Sequence, residues 1–284
     1  MDYAKKFIVK PGDRVRLADI DPGDTADQRS HSKAKPLTKD YLKRLAALQY
    51  RLYADGNRSL LVVLQGLDAG GKDGVIRHVF SRMNPQGTSV ACFKQPSREE
   101  LSHDFLWRIH KRTPAKGEVV VFNRSHYEDV LVVRVHDLVP QDMWSSRFEL
   151  INRFEELLAQ SGTKILKFYL HISPEEQLER FRRRLEDETR HWKISESDYQ
   201  ERKFWPQYME AYEDVLAKTS TQDSPWFVIP SNNKWFRNLA IAQIITKTLD
   251  EMKLQLPPTH VDLRDIERHY HAAKQKADAG EKDT

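Results

Sequence analysis

The chain has 284 residues, and its 46 Lys and Arg against 42 Asp and Glu leave a net charge of only +4, so bulk charge does not announce a nucleic-acid partner and none is expected. A single cysteine, Cys92, excludes an intramolecular disulfide and fits a reducing compartment, with the thiol expected in the core. No apolar run approaches membrane-spanning length and the first residues lack a signal-peptide core, which predicts a soluble, cytoplasmic protein without a membrane partner.

In chain order, residues 1–36 carry Pro11-Gly12, Pro22-Gly23 and many charges, and are expected to form an N-terminal arm lying over the domain rather than a core element. Leu42, Leu45, Leu48, Gln49 and Leu52 recur on a helical period that Asp55-Gly56 stops, predicting an amphipathic helix over Leu37 to Ala54. The short apolar run Leu60 to Leu64, β-branched at its centre, reads as a buried strand. It opens into Gly66-Leu67-Asp68-Ala69-Gly70-Gly71-Lys72-Asp73, which satisfies the phosphate-binding pattern GxxxxGK with Asp73 where serine or threonine is usual.

The following helix ends at Asn84-Pro85, and Thr88 to Phe93 alternates as a second strand. Glu99 to Lys111 reads as a helix, and Glu118 to Phe122 as a third strand leading into Asn123-Arg124-Ser125-His126-Tyr127-Glu128-Asp129. A long amphipathic helix over Gln141 to Gln160 precedes a fourth strand, Lys164 to Ile172. Ser173-Pro174-Glu175-Glu176 is a helix start with cap, proline and acids in place, and the helix it opens carries Arg180, Arg182, Arg183 and Arg184. Another helix is expected from Glu196 to Ala217, kinked at Pro206, then a fifth strand, Trp226 to Pro230, and a closing helix, Trp235 to Met252. The charged tail from His260 is expected to be helical in part or disordered. Alternating strands and helices, with no linker across residues 37–255, predict one α/β domain with a parallel sheet covered on both faces.

The chemistry of the glycine turn follows from its composition. Glycines at 66, 70 and 71 allow positive φ and close approach of backbone to an oxyanion, while the next helix presents its N–H groups and the positive end of its dipole. Lys72 is placed to neutralise the phosphoryl group being transferred. Asp68 and Asp73 would repel a bare phosphate, so a metal ion is expected between the acids and the phosphates. The third-strand end, Asn123 to Asp129, is the expected second phosphate and metal sensor, because ligands of open α/β sheets bind beyond the carboxyl ends of strands.

Gln65 to Gly74, Phe122 to Val133, Leu106 to His110 and His191-Trp192-Lys193 together resemble the polyphosphate kinase 2 family, in order and spacing, over roughly residues 3–255. The resemblance implies a P-loop kinase-like, three-layer αβα sandwich with a parallel five-stranded sheet and a helical lid at about 178–198, followed by a polar C-terminal tail at 256–284. It implies reversible phosphoryl transfer between inorganic polyphosphate and AMP or ADP, or GMP or GDP, with Mg²⁺ or alternatively Mn²⁺, by a homo-oligomer, dimer or tetramer. Carried over by position, Asp68, Lys72, Arg124 and Arg184 are the catalytic set, and Gly70, Gly71, Lys72, Asp73, Gly74, Arg180, Arg184 and Lys193 hold phosphate or polyphosphate. Asp68, Asn123, Arg124 and Glu128 would meet the nucleotide, and Asp68, Asp73 and Asp129 the metal. Where one branch of the family has aspartate, this chain has Asn123, which moves the expected acidic role to Glu128 and Asp129. The Asn123 version of the motif resembles the subgroup that accepts both nucleoside mono- and diphosphates.

Plainer readings stand beside these. Glu176 to Arg180 and Glu179 to Arg183 are i,i+4 pairs that a solvated helix would also carry. His110, His126 and His191 share no metal-ligand spacing and read as structural. Trp107, Trp192, Trp205 and Trp235 read as packing residues, with Trp192 beside Lys193 alternatively shaping the lid. An ATP-dependent kinase of the thymidylate kinase type would share the loop but not the donor, and a non-catalytic polyanion-binding module would share the basic face.

Overall fold

The computed structural model describes residues 1–278. In chain order its elements are α1 (Tyr3–Phe7), β1 (Ile8–Val9), α2 (His31–Asp55), β2 (Ser59–Gln65), α3 (Lys72–Val79) and β3 (Thr88–Cys92). There follow α4 (Arg98–Leu101), α5 (Trp107–His110), β4 (Val119–Asn123), α6 (Val132–Val135), α7 (Gln141–Gln160) and β5 (Thr163–His171). The last are α8 (Pro174–Glu186), α9 (Glu196–Glu201), α10 (Trp205–Thr219), β6 (Trp226–Pro230), α11 (Lys234–Glu251) and α12 (Leu263–Asp278).

The described residues form a six-stranded sheet in the order β1-β6-β5-β2-β4-β3. The five expected strands all run parallel, and the sixth, β1, pairs antiparallel with β6. Every residue of β2 is buried, because the strand is covered twice. Leu60, Val62 and Leu64 pack with α2, α3 and α11, while Leu61 and Val63 on the opposite face pack with α7 and α10. That alternation is the three-layer sandwich.

Some expectations are corrected. Residues 1–36 do contribute to the core: Tyr3, Phe7, Val9 and Leu17 are buried, and Tyr3 Oη donates to Asp27 Oδ1 at 3.0 Å. The first long helix begins six residues early, where Ser30 caps the Lys33 N–H and Pro36 lies inside the helix. The helix expected over Glu99 to Lys111 is two short ones, α4 and α5, parted at Ser102. The one expected over Glu196 to Ala217 breaks into α9, a 3₁₀ turn at Arg202–Phe204, and α10, where Pro206 occupies the first turn, the position that tolerates a missing N–H. Cys92 is exposed at the end of edge strand β3, and Trp192 is 78% exposed rather than packed. In the tail, α12 buries no residue, and positions 279–284 lie outside the described residues.

Because β2 and β4 are neighbours, with Leu64 opposite Asn123, the glycine loop and the Asn123–Asp129 segment emerge side by side at the same sheet edge. A cleft of about 1260 Å³ between the N-terminal segment and α10 contains no residue of either segment.

Candidate active site

The glycine loop leaves β2 with Gly66 at φ +152° and reaches α3 through Gly71 at φ +105°, both conformations that a side chain disfavours. Gly70 does not share this conformation; it is required because a Cβ there would lie 2.8 Å from the Leu67 carbonyl oxygen, and Ala69 takes the positive φ instead. No side chain caps α3, and Lys72, Asp73 and Gly74 of its first turn line a cavity. Lys72 Nζ donates to Gly66 O at 2.6 Å and Leu67 O at 3.3 Å, folded back along the loop's rim. Burial, reinforced by the Arg124 guanidinium, pulls the Lys72 ammonium down to about 8 against the pull of Asp68, Glu128 and Asp73.

Arg124 occupies a left-handed conformation at φ +61°, a strained position for a non-glycine residue. Its guanidinium meets Asp68 Oδ1 at 2.7 Å and Glu128 Oε2 at 3.4 Å. Burial opposes its charge, but Glu128 and Asp68 outweigh that and hold its pKa above the usual guanidinium value. Asn123 Nδ2 donates to Asp73 Oδ1 at 2.9 Å, and Lys193 Nζ reaches Asp73 Oδ2 at 3.1 Å. Those two bonds outweigh the partial desolvation of Asp73 and keep its carboxyl below the ordinary range.

Asp129, expected at the metal, sits apart from Asp68 and Asp73. It lies between Arg108 at 3.7 Å and Arg147 at 3.6 Å, and lines neither cavity at the loop. The 3₁₀ turn His126–Asp129 is what separates it from Glu128: consecutive residues project to different sides, Glu128 toward Arg124 and Asp129 toward α7.

Beneath this turn lies a buried network that sequence reasoning missed. Glu155 accepts from Tyr127 Oη at 2.8 Å and pairs with His126 Nε2 at 3.2 Å, while Lys167 Nζ donates to Glu155 Oε2 at 2.5 Å, Thr219 O at 2.6 Å and Tyr127 Oη at 3.0 Å. Burial of Glu155 is overcome by Lys167 and His126, and its carboxyl stays below the usual value. His126 is thus structural, as expected. A lysine set between Leu166 and Phe168 in the middle of a buried strand was the available signal.

The arginines of α8 separate by what they touch. Arg180 was expected to clamp polyphosphate, but its five N–H groups are spent: Nε on Glu176 at 2.7 Å, Nη1 on Ala69 O and Gly70 O at 2.8 and 2.9 Å, Nη2 on Ser231 O and on Asn232 O at 3.3 Å. It fixes the loop to α8 and to the end of β6. Arg182 and Arg183 pair with Glu179 on a solvated face. Arg184 lies over the Phe181 ring and meets Lys193 O and Asp198 Oδ2, each at 3.2 Å.

Two cavities meet at the loop. The larger, about 1140 Å³, is lined by Asp68, Gly71, Lys72, Asp73, Gly74 and Arg124, by Arg180, Arg183, Arg184, Arg190 and Lys193, and by Lys234 and Arg237 from α11. The smaller, about 250 Å³, is walled by Trp205, Tyr208, Tyr212, His136 and Glu128. Asp68 and Arg124 line both. The aromatic wall and the α11 cations were not anticipated as site residues. The carboxylates of Asp68 and Asp73 are hard oxygen donors suited to Mg²⁺, and among the described residues no cluster of three His, Cys, Asp or Glu forms a closed cage. That fits an ion held by one or two carboxylates together with substrate phosphates.

A parallel sheet, a glycine loop at the end of its central strand and a basic cavity opening from that loop define a phosphate-loop phosphotransferase. The model of one family, Polyphosphate kinase 2, matches residues 28–257, and the chain belongs to that family. It is 48% identical over 254 residues to the AMP/ADP-polyphosphate phosphotransferase of Meiothermus ruber, covering 89% of this chain and 95% of that protein. It is 41% identical over 271 residues to the ADP-polyphosphate phosphotransferase of Rhodopseudomonas palustris, covering 90% and 92%. The crystal structure of Polyphosphate Kinase 2 from Arthrobacter aurescens superposes with a TM-score of 0.92 at 40% identity, covering 96% of this chain and 97% of that one. No helix among the described residues is long and apolar enough to cross a membrane.

Proposed function

We propose that this chain transfers a phosphoryl group reversibly between inorganic polyphosphate and AMP or ADP, with guanine nucleotides as alternative acceptors. The observation that carries this reading is the junction of two unlike cavities at Asp68 and Arg124. The basic cavity suits a chain of phosphates; the aromatic-walled one suits a nucleoside, whose base finds flat apolar faces in Trp205, Tyr208 and Tyr212. The acceptor's phosphate oxygen would then attack the donor's terminal phosphorus at the junction, with the shortened polyphosphate as leaving group.

In this reading the loop N–H groups and Lys72 bind the donor's charge, and Arg124 stabilises the charge that builds on the transferring group. Glu128 orients Arg124 and borders the acceptor, while Asn123 orients Asp73. Arg184 and Lys193 carry the lid's contribution, and Arg180 holds the loop's shape. Mg²⁺, or Mn²⁺ in its place, held by Asp68 and Asp73, would supply neutralisation of the phosphate oxygens. Residues 37–255 form the catalytic unit with its lid at about 178–198, and we place the protein in the cytoplasm as a homo-oligomer.

The test is a donor and acceptor matrix followed by ³¹P NMR. Mg²⁺, polyphosphate and AMP or ADP should yield ADP and ATP. Turnover with ATP and a nucleoside monophosphate but none with polyphosphate would replace this reading with an ATP-dependent kinase.

A further inference from the structure

Arg237 stands in the first turn of α11 and is 2% exposed. Its Nε and Nη2 donate to Asn238 Oδ1 at 3.1 and 2.9 Å, and among the described residues Nη1 has no hydrogen-bond partner and the guanidinium has no acidic one. It is pressed against the phosphate loop. A Cβ on Gly71 would lie 1.9 Å from Nη1, and one on Gly74 would lie 3.0 Å from Nη2, so glycine at both positions makes room for this side chain.

The contrast with Arg180 is informative, since that buried guanidinium has an acceptor for each N–H. A buried cation without such partners is costly unless an anion completes it. Burial, and then Arg180, pull Arg237 down to about 9 with no acid opposing them. Lys234, exposed but partly desolvated, is lowered by that desolvation, by Arg180 and by Arg183, and the one opposing acid, Glu176, is already bonded to Arg180 at 2.7 Å. Arg237 and Lys234 line the basic cavity only, whereas Asp68 and Arg124 line the acceptor cavity as well. An anion at Arg237 is therefore not the phosphoryl group at the junction but another group on the donor's side.

We propose that Arg237 and Lys234 form an anion subsite for a non-reacting phosphoryl unit of the donor chain, through which the enzyme distinguishes long polyphosphate from short. This rests on the transfer reaction proposed above and adds a reader of donor length to it.

Arg237→Met and Lys234→Gln would be compared with the unaltered protein in two measurements: titration with long-chain polyphosphate and with tripolyphosphate in the absence of acceptor, and steady-state kinetics with ADP. Each folded variant should bind the long chain more weakly, Arg237→Met by about tenfold or more, lose less against tripolyphosphate, and keep its KM for ADP. Unchanged long-chain affinity in the folded variants overturns the subsite, as does an equal loss against both donors or a raised KM for ADP. If Arg237→Met fails to fold, Lys234→Gln decides alone, because Lys234 is exposed. The two proposals fail separately: weakened binding in the variants with no transfer by the unaltered protein sinks the reaction and keeps the subsite, and normal transfer with unweakened variants does the reverse.

Discussion

Lys193, in the 3₁₀ turn that follows α8, reaches Asp73 of the phosphate loop at 3.1 Å, and the same carboxylate accepts from Asn123 at the end of β4, so that turn, loop and sheet edge are joined at one side chain. The Asp73 side chain is 64% exposed, so the ion pair adds little to global stability, about 0–1 kcal/mol for pairs of this kind. Its effect is local. Lys193→Gln should leave the melting temperature nearly unchanged while amide exchange across residues 178–198 speeds up; unaltered protection there would show that the lid is held by other contacts.

Lys72 should set both a rate and a pH limit. Lys72→Ala should lower kcat by about 10²–10³-fold, the usual loss for one charge-stabilising donor, with the fold intact by circular dichroism. Its pKa is lowered from 10.5 to about 8, so the cation is fully present below that pH and is lost as pH rises through it. The kcat/KM for polyphosphate should therefore fall on an alkaline limb near pH 8, and Lys72→Arg should move that limb beyond the measurable range. A limb that stays put in the arginine variant would assign it to another group.

Arg180 and Arg184, one turn apart on α8, should respond in opposite ways. Arg180→Met leaves Glu176 and four backbone carbonyls without their donor and should cost about 3–5 kcal/mol of stability in urea unfolding. Arg184→Ala, half-buried beside Asp198, should be nearly neutral in unfolding but raise the KM for polyphosphate. Equal stability losses would mean that the helical turn does not divide structure from function.

The buried Lys167–Glu155 pair offers a double-mutant test. Lys167→Met alone strands a buried carboxylate and should cost about 3–5 kcal/mol, whereas Lys167→Met with Glu155→Leu should recover most of that. Activity should not recover, because Tyr127 and His126 lose the acceptor that fixes the turn carrying Arg124 and Glu128. Restored kcat in the stable double variant would demote the network to packing alone.

The tail should be dispensable to the fold. Since α12 buries nothing, ending the chain at Pro258 should leave the melting temperature and specific activity unchanged.

The inner parallel strands were legible because strands covered on both faces read as continuous apolar runs, as Leu60 to Leu64 does, and the edge strand β3 by its alternation. The glycine loop was legible because its spacing is local. What was hidden depends on partners distant in the chain. The two residues of β1 are a strand only by virtue of β6. Arg180 sits at the spacing of a solvated i,i+4 pair, and spacing names a helix face without naming what that face meets. Asp129 sits beside Glu128 in sequence, yet Arg108 and Arg147, on either side of it in the chain, turn it elsewhere. Arg237 left one trace, the lone charge within WFRNLAIAQII of a buried helix.

The antiparallel pairing of Ile8 with Phe227 imposes an order of assembly. A segment near the start of the chain waits for partners near its other end, so during synthesis Tyr3, Phe7 and Val9 stay wet until β6 and α11, whose Phe236 packs on Tyr3 and Phe7, have left the ribosome. The exposed apolar residues of that opening segment are where a chaperone would bind a half-made chain, and where a truncated one would aggregate.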